Sequence, residues 1–186
     1  METKEKNFEQ DIESYLLSEG GYVKGTMATY DKKRAIDMPV LIQFIEATQP
    51  KQWAKYKNIY GENAEHQLYK MFQNNVAQSG LIYVLRNGIK DRGIGLKFVY
   101  FEPASGLNEE LVERYKANIL TETRQFFYSA DNKNSIDMVL SVNGIPVVAL
   151  ELKNQLTGGC KDHDKINTLR HLKIVFFTTI QVQQTR

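Results

Sequence analysis

The chain has 186 residues, 42% of them hydrophobic, and a formal net charge of +2. That length suits one domain with a sizeable core, and a charge so near neutral argues for no partner by itself. The single cysteine excludes an internal disulfide, no apolar run approaches a membrane span, and the charged start METKEKNFEQD is no signal peptide; a cytoplasmic protein is expected.

Asn7 to Ser18 reads as a short helix, with Phe8, Ile12, Tyr15 and Leu16 at helical spacing and Gly20-Gly21 ending it. Gly21 to Ala35 is turn-rich and basic. Asp37 has the chemistry of an N-cap, with Pro39 just inside a helix whose apolar positions are Leu41, Ile42, Phe44 and Ile45. Pro50 opens another helical piece carrying Trp53, Tyr56 and Ile59. Trp53 could stack on a base, but a lone Trp on an amphipathic helix reads as core. Gly61 to Gln78 is the clearest amphipathic helix, striped by Leu68, Met71, Phe72 and Val76. Leu81 to Leu85 and Leu96 to Phe101 read as strands joined by the polar RNGIKDRGIG region. Asn108 is placed to cap a helix through Leu111, Val112 and Tyr115, and Thr121 to Tyr128 reads as a strand. Arg86, Lys90, Arg92 and Arg124 could reach phosphates, the main source of DNA affinity. Taken singly, each reads better as a solvated loop charge or a carboxylate partner.

The most informative stretch is Ser135 to Asn154, SIDMVLSVNGIPVVALELKN. Two β-branched runs flank Asn143-Gly144, a strong hairpin signal. Asp137 interrupts the first run, and Glu151 and Lys153 close the second. Charges in such strands are rarely buried unless paired or bound to a metal. With Asn143 and Gly144 alone as a two-residue loop, Val142 would oppose Ile145, Asp137 would oppose Leu150 and Glu151 would point away from Asp137. A three-residue loop, Asn143 to Ile145 with Gly144 left-handed, would instead put Val142 opposite Pro146 and Asp137 opposite Glu151. Lys153 follows on the same face because side chains alternate along a strand. In that register Asp137, Glu151 and the backbone carbonyl of Leu152 are hard oxygen ligands suited to Mg²⁺. Lys153 would stand beside the attacking water or stabilise charge on an attacked phosphate. An ion-paired hairpin without catalytic role is the alternative that these residues alone leave open.

This stretch resembles the PD-(D/E)xK nuclease motif in the form found in the restriction subunit of type I restriction-modification enzymes. The resemblance rests on Asp137, Asn143-Gly144, Pro146, Glu151-Leu152-Lys153-Asn154 and Leu156-Thr157-Gly158. It extends to Gly21-Tyr22, Tyr30-Asp31, Thr48-Gln49-Pro50, VLRNGIKD (84–91), YFEPASGLN (100–108) and TRQFFYS (123–129). It implies an α/β, restriction-endonuclease-like domain: a mixed central sheet flanked by helices, with the catalytic hairpin in its middle. It also implies Mg²⁺-dependent hydrolysis of double-stranded DNA, with Mn²⁺ able to substitute. Asp137 and Glu151 would hold the metal and Lys153 would assist the attacking water. Many nucleases of this fold take a further metal-contacting glutamate from a helix before the sheet; Glu65, at the boundary of its helix's buried face, is the candidate here, with Glu62 a weaker one.

After Gly158 the resemblance is not followed. The family's next helix carries a Q-x-x-x-Y pattern, whereas the last tyrosine here is Tyr128. Residues 1–158 are therefore expected to form the nuclease domain and 159–186 a divergent end, with Lys173 to Val182 reading as a strand. Cys160, Asp162, His163 and Asp164 lack finger spacing and read as loop. No G-x-x-x-x-G-K-[ST] occurs, so the ATP-driven motor of such subunits is absent and the chain reads as a piece of a longer one. Through the full-length subunit the expected partners are the modification and specificity subunits, and ATP would serve only the motor. Two other readings stay open: a non-catalytic docking remnant of the same fold, and a stand-alone nuclease acting on structured DNA.

Overall fold

The computed structural model describes residues 2–128, 134–152 and 172–176. In chain order the elements are α1 (Glu2–Ser18), β1 (Val23–Lys24), α2 (Met38–Thr48), α3 (Pro50–Tyr60), a 3-10 turn (Gly61–Asn63), α4 (Ala64–Ser79), α5 (Leu81–Asn87), β2 (Ile89–Asp91), β3 (Ile94–Leu96), α6 (Glu109–Lys116), β4 (Leu120–Phe126), β5 (Ile136–Val142), β6 (Ile145–Leu152) and β7 (Leu172–Phe176). One mixed sheet runs β1-β4-β5-β6-β7, with β1 parallel to β4 and the other neighbours antiparallel. The fold is α/β, as expected, and the β5–β6 hairpin lies inside the sheet rather than at its edge.

Between β1 and β4 the chain builds a helical layer with its own core. Asp37 caps α2 as its chemistry predicts: Oδ1 accepts the Val40 amide at 3.3 Å, and Pro39 occupies the first turn. Leu41, Phe44 and Ile45 of α2 bury against Trp53 and Tyr56 of α3 and Leu68 and Phe72 of α4. Trp53 is thus core, with its Nε1 donating to Glu46 at 3.0 Å. Gln49, at the α2–α3 junction, donates from Nε2 to the Lys97 carbonyl and accepts the Lys97 amide at Oε1. This exchange ties the junction to the chain after β3.

The region from 81 to 101 departs from the expected pair of strands. Residues 81–87 are helical because Leu81 and Val84, three apart, both sink into the core between Gly80 at φ +83 and Gly88 at φ +74. Tertiary burial here overrides a β-branched local composition. The expected loop instead contains the small β2–β3 hairpin, and Leu96 ends β3, so residues 97–101 lie outside strand structure. Asp91 holds that hairpin to α3 by accepting both Tyr56 Oη at 3.0 Å and Tyr60 Oη at 2.8 Å on one oxygen. The expected strand 173–182 is β7 over Leu172–Phe176; residues 177–186 lie outside the described residues.

Candidate active site

Asn143 and Gly144 have φ of +51° and +78°, so both central residues of the β5–β6 turn are left-handed, as a two-residue type I′ turn requires. Val142 pairs with Ile145. The expected three-residue loop is therefore incorrect. Asn143 is fully buried and every part of its side chain is used. Its Nδ2 donates to the Phe98 carbonyl at 2.8 Å and to Asn118 Oδ1 at 3.0 Å, while Oδ1 accepts the Ile119 amide at 2.7 Å. Gly144 accepts the Asp37 amide at 2.9 Å, and a Cβ there would lie 2.3 Å from the Asp37 carbonyl oxygen. The turn is clamped to the helical layer through the residue that caps α2.

Another device shifts the register by one residue. Leu140 pairs with Val148 but Ser141 with Pro146, so Val147 is an extra residue, a β-bulge two residues past the turn. The ladder ends where Met138 pairs with Leu150; carried one residue further, the same register would set Asp137 opposite Glu151. Opposed residues share a face, so that continuation would put both carboxylates on one face, and both are partly exposed. Leu152 ends β6 opposite Leu172 of β7. Two facing carboxylates are the hard oxygen donors that Mg²⁺ takes while keeping several waters, so the donor set fits the ion. No group of three or more His, Cys, Asp or Glu forms a metal site among the described residues. Glu65 stands exposed in the first turn of α4 and does not complete such a group with Asp137 and Glu151. Lys153 and the Cys160–Asp164 cluster lie outside the described residues.

Arg124, considered as a phosphate contact, is committed elsewhere. Its Nη2 donates to Glu9 Oε2 at 2.8 Å and its Nη1 to Glu13 Oε2 at 2.7 Å, so α1 docks on β4 through ion pairs. Lys24 of β1 reaches Glu13 Oε1 at 2.7 Å. Beneath them Glu122 is fully buried, and neither of its oxygens has a hydrogen-bond partner. Two carboxylates cannot donate to each other, but one proton lets Glu122 donate to Glu13. Burial and the Glu13 charge push the Glu122 carboxyl well up, while the Lys24 ammonium holds Glu13 well down. Sequence reasoning missed this cluster. Its trace was the one-turn spacing of Glu9 and Glu13 and the alternation of Glu122 and Arg124 along β4.

Beside it, Gln125 has φ +48°, rare for a residue other than glycine. Its Nε2 donates to Glu9 Oε1 at 3.3 Å and its Oε1 accepts Ser135 Oγ at 3.4 Å. Of the other basic candidates, Arg92 stacks over Tyr60 at 5.2 Å, and Arg86 and Lys90 are exposed on α5 and β2.

Residues 109–179 match the type I restriction enzyme R protein N terminus (HSDR_N). The HSDR_N segment runs from α6 to beyond β7 and includes Asp137 and Glu151 and, by sequence, Lys153. It extends past Gly158, and the segments quoted before residue 109 lie outside it. No curated protein and no solved structure matches the chain. Among the described residues no helix is long and apolar enough to cross a membrane.

Proposed function

We propose that this chain carries the nuclease centre of a type I restriction enzyme R subunit, hydrolysing phosphodiester bonds of double-stranded DNA. The observation that supports it is the bulge in a central hairpin whose register, continued past Met138 and Leu150, would oppose Asp137 and Glu151 inside the segment that matches HSDR_N. Asp137, Glu151 and the backbone carbonyl of Leu152 would hold Mg²⁺, with Mn²⁺ able to substitute. When bound, the ion supplies charge neutralisation at the scissile phosphate. The two carboxylates fix the centre at the partly exposed end of the hairpin. Lys153, two residues beyond Glu151, would donate to the attacking water or to the developing phosphate charge. Acting in the cytoplasm, such a centre needs no base-reading element of its own. The modification and specificity subunits would supply recognition through the full-length subunit, and ATP would serve only the motor.

Nicking of supercoiled plasmid in an Mg²⁺ or Mn²⁺ titration tests this, with Asp137→Asn, Glu151→Gln and Lys153→Ala in parallel and calorimetry for metal binding. Each substitution should lower nicking roughly 100-fold or more. Metal heat without nicking, lost in Asp137→Asn, would indicate a docking module that keeps the fold and the metal. Neither heat nor nicking would sink the assignment.

A further inference from the structure

The basic stretch after β1 folds into a built turn. The Asp31 amide donates to the Ile36 carbonyl at 3.0 Å, and Asp31 Oδ1 accepts the amides of Lys33 at 2.9 Å and Arg34 at 3.0 Å. Ala35, at φ +55°, closes it. Arg34 is held twice more, by Asp31 Oδ2 at 3.4 Å and by the Tyr69 ring 5.1 Å beneath its guanidinium. Lys32 and Lys33 are exposed and have no carboxylate partner among the described residues. Three consecutive cations thus project from a backbone pinned on both sides, which lowers the entropy lost when they meet a ligand.

The turn also stands on the relevant side of the sheet. Tyr30, just before it, packs edge-on against Phe126 at 4.7 Å. Tyr30, Thr121, Thr123, Phe126 and Ser141 line one hollow. Ser141 and Asp137 share a face of β5 by alternation, so the hollow opens on the face that carries Asp137 and Glu151. The rings nearest the turn, Tyr30 and Tyr69, are occupied by Phe126 and Arg34. The turn therefore offers charge without a stacking platform, which suits a duplex backbone better than unstacked bases.

We propose that the Lys32-Lys33-Arg34 turn is a phosphate-backbone contact for duplex DNA lying across the sheet face that bears Asp137 and Glu151. The choice of DNA rests on the nuclease reading above. Contacts of this kind position a duplex without reading its sequence.

The test is duplex binding by fluorescence anisotropy in EDTA across a salt series. The wild type is compared with Lys32→Gln/Lys33→Gln/Arg34→Gln, and with Lys51→Gln/Lys55→Gln on α3 as a control matched in charge to Lys32→Gln/Lys33→Gln. The triple variant should lower the slope of log K against log salt by about 2–3, and the control should not. Lys32→Gln/Lys33→Gln keeps the Asp31–Arg34–Tyr69 contacts and should lower it by about 2 if the triple variant folds poorly. An unchanged slope, or a wild type that does not bind duplex, overturns the proposal. Binding without nicking removes the nuclease reading and leaves the contact standing; nicking with an unchanged slope removes the contact alone.

Discussion

Asn143 and Gly144 do different work in one turn. Both supply left-handed backbone, but Asn143 also satisfies the buried Phe98 carbonyl and Ile119 amide, and Gly144 admits the Asp37 carbonyl where a side chain would stand. Gly144→Ala should cost roughly 2–4 kcal/mol, from backbone strain and the displaced α2 cap. Asn143→Ala should cost about 2–4 kcal/mol by orphaning buried groups. Asn143→Asp, which keeps the acceptor for Ile119 but loses the donors, should fall in the same direction. Urea midpoints measure all three, and a midpoint within error of wild type would refute the clamp.

At the scale of elements, the α1–β4 contact is governed by protons. Three carboxylates (Glu9, Glu13, Glu122) face two cations (Lys24, Arg124), so one proton balances the set. Glu122 is raised in the folded protein to about 7. From the usual carboxylate range up to that value the folded state binds more protons than the unfolded one, so stability falls as pH rises. Glu13 is lowered, so its contribution grows as pH rises from its depressed value towards that range. Glu122→Gln, whose amide can donate to Glu13 at every pH, should remove the falling limb and raise the thermal midpoint at pH 8 by a few degrees relative to wild type. Parallel pH profiles of the two proteins would refute it.

Legibility follows the same divide between local and distant causes. The caps at Asp37 and Asn108 were readable because a side chain bonds an amide three residues on. The place of the turn was readable because Asn and Gly accept left-handed backbone, but its loop length was not. The bulge at Val147 was not, since nothing in IPVV marks which residue is extra, and so the expected register rested on a three-residue loop that the turn does not make. Helix α5 and the Glu122 cluster depend on partners far along the chain, which a window over LIYVLRN or TETR does not contain.

For the whole molecule, the candidate centre and its support come from different stretches. The HSDR_N segment holds the hairpin, while the α2 cap and Phe98, which clamp its turn, precede residue 109. The clamp grips one end of the hairpin and the carboxylates stand at the other, outside the main apolar core. Chelation with EDTA should therefore leave the fold intact. Mg²⁺ at 100 times its Kd should add about 2.7 kcal/mol, a rise in Tm of roughly 5–10 °C, and Asp137→Asn should abolish that rise. A wild-type midpoint that ignores Mg²⁺ would contradict the proposed donor set.

The brevity of β1 has a consequence for how copies of this chain meet one another. It covers β4 only at Thr121 and Glu122, with the Gly25 amide adding one bond to the Glu122 carbonyl. From Thr123 to Phe126 the outer side of β4 has no neighbouring strand among the described residues. A straight bare edge of that kind is a template for strand addition by another chain. The left-handed Gln125 interrupts it, and its side chain is drawn down to Glu9 and Ser135. The backbone strain at that residue thus guards solubility, denying a second molecule the regular ladder from which edge-to-edge aggregation would grow.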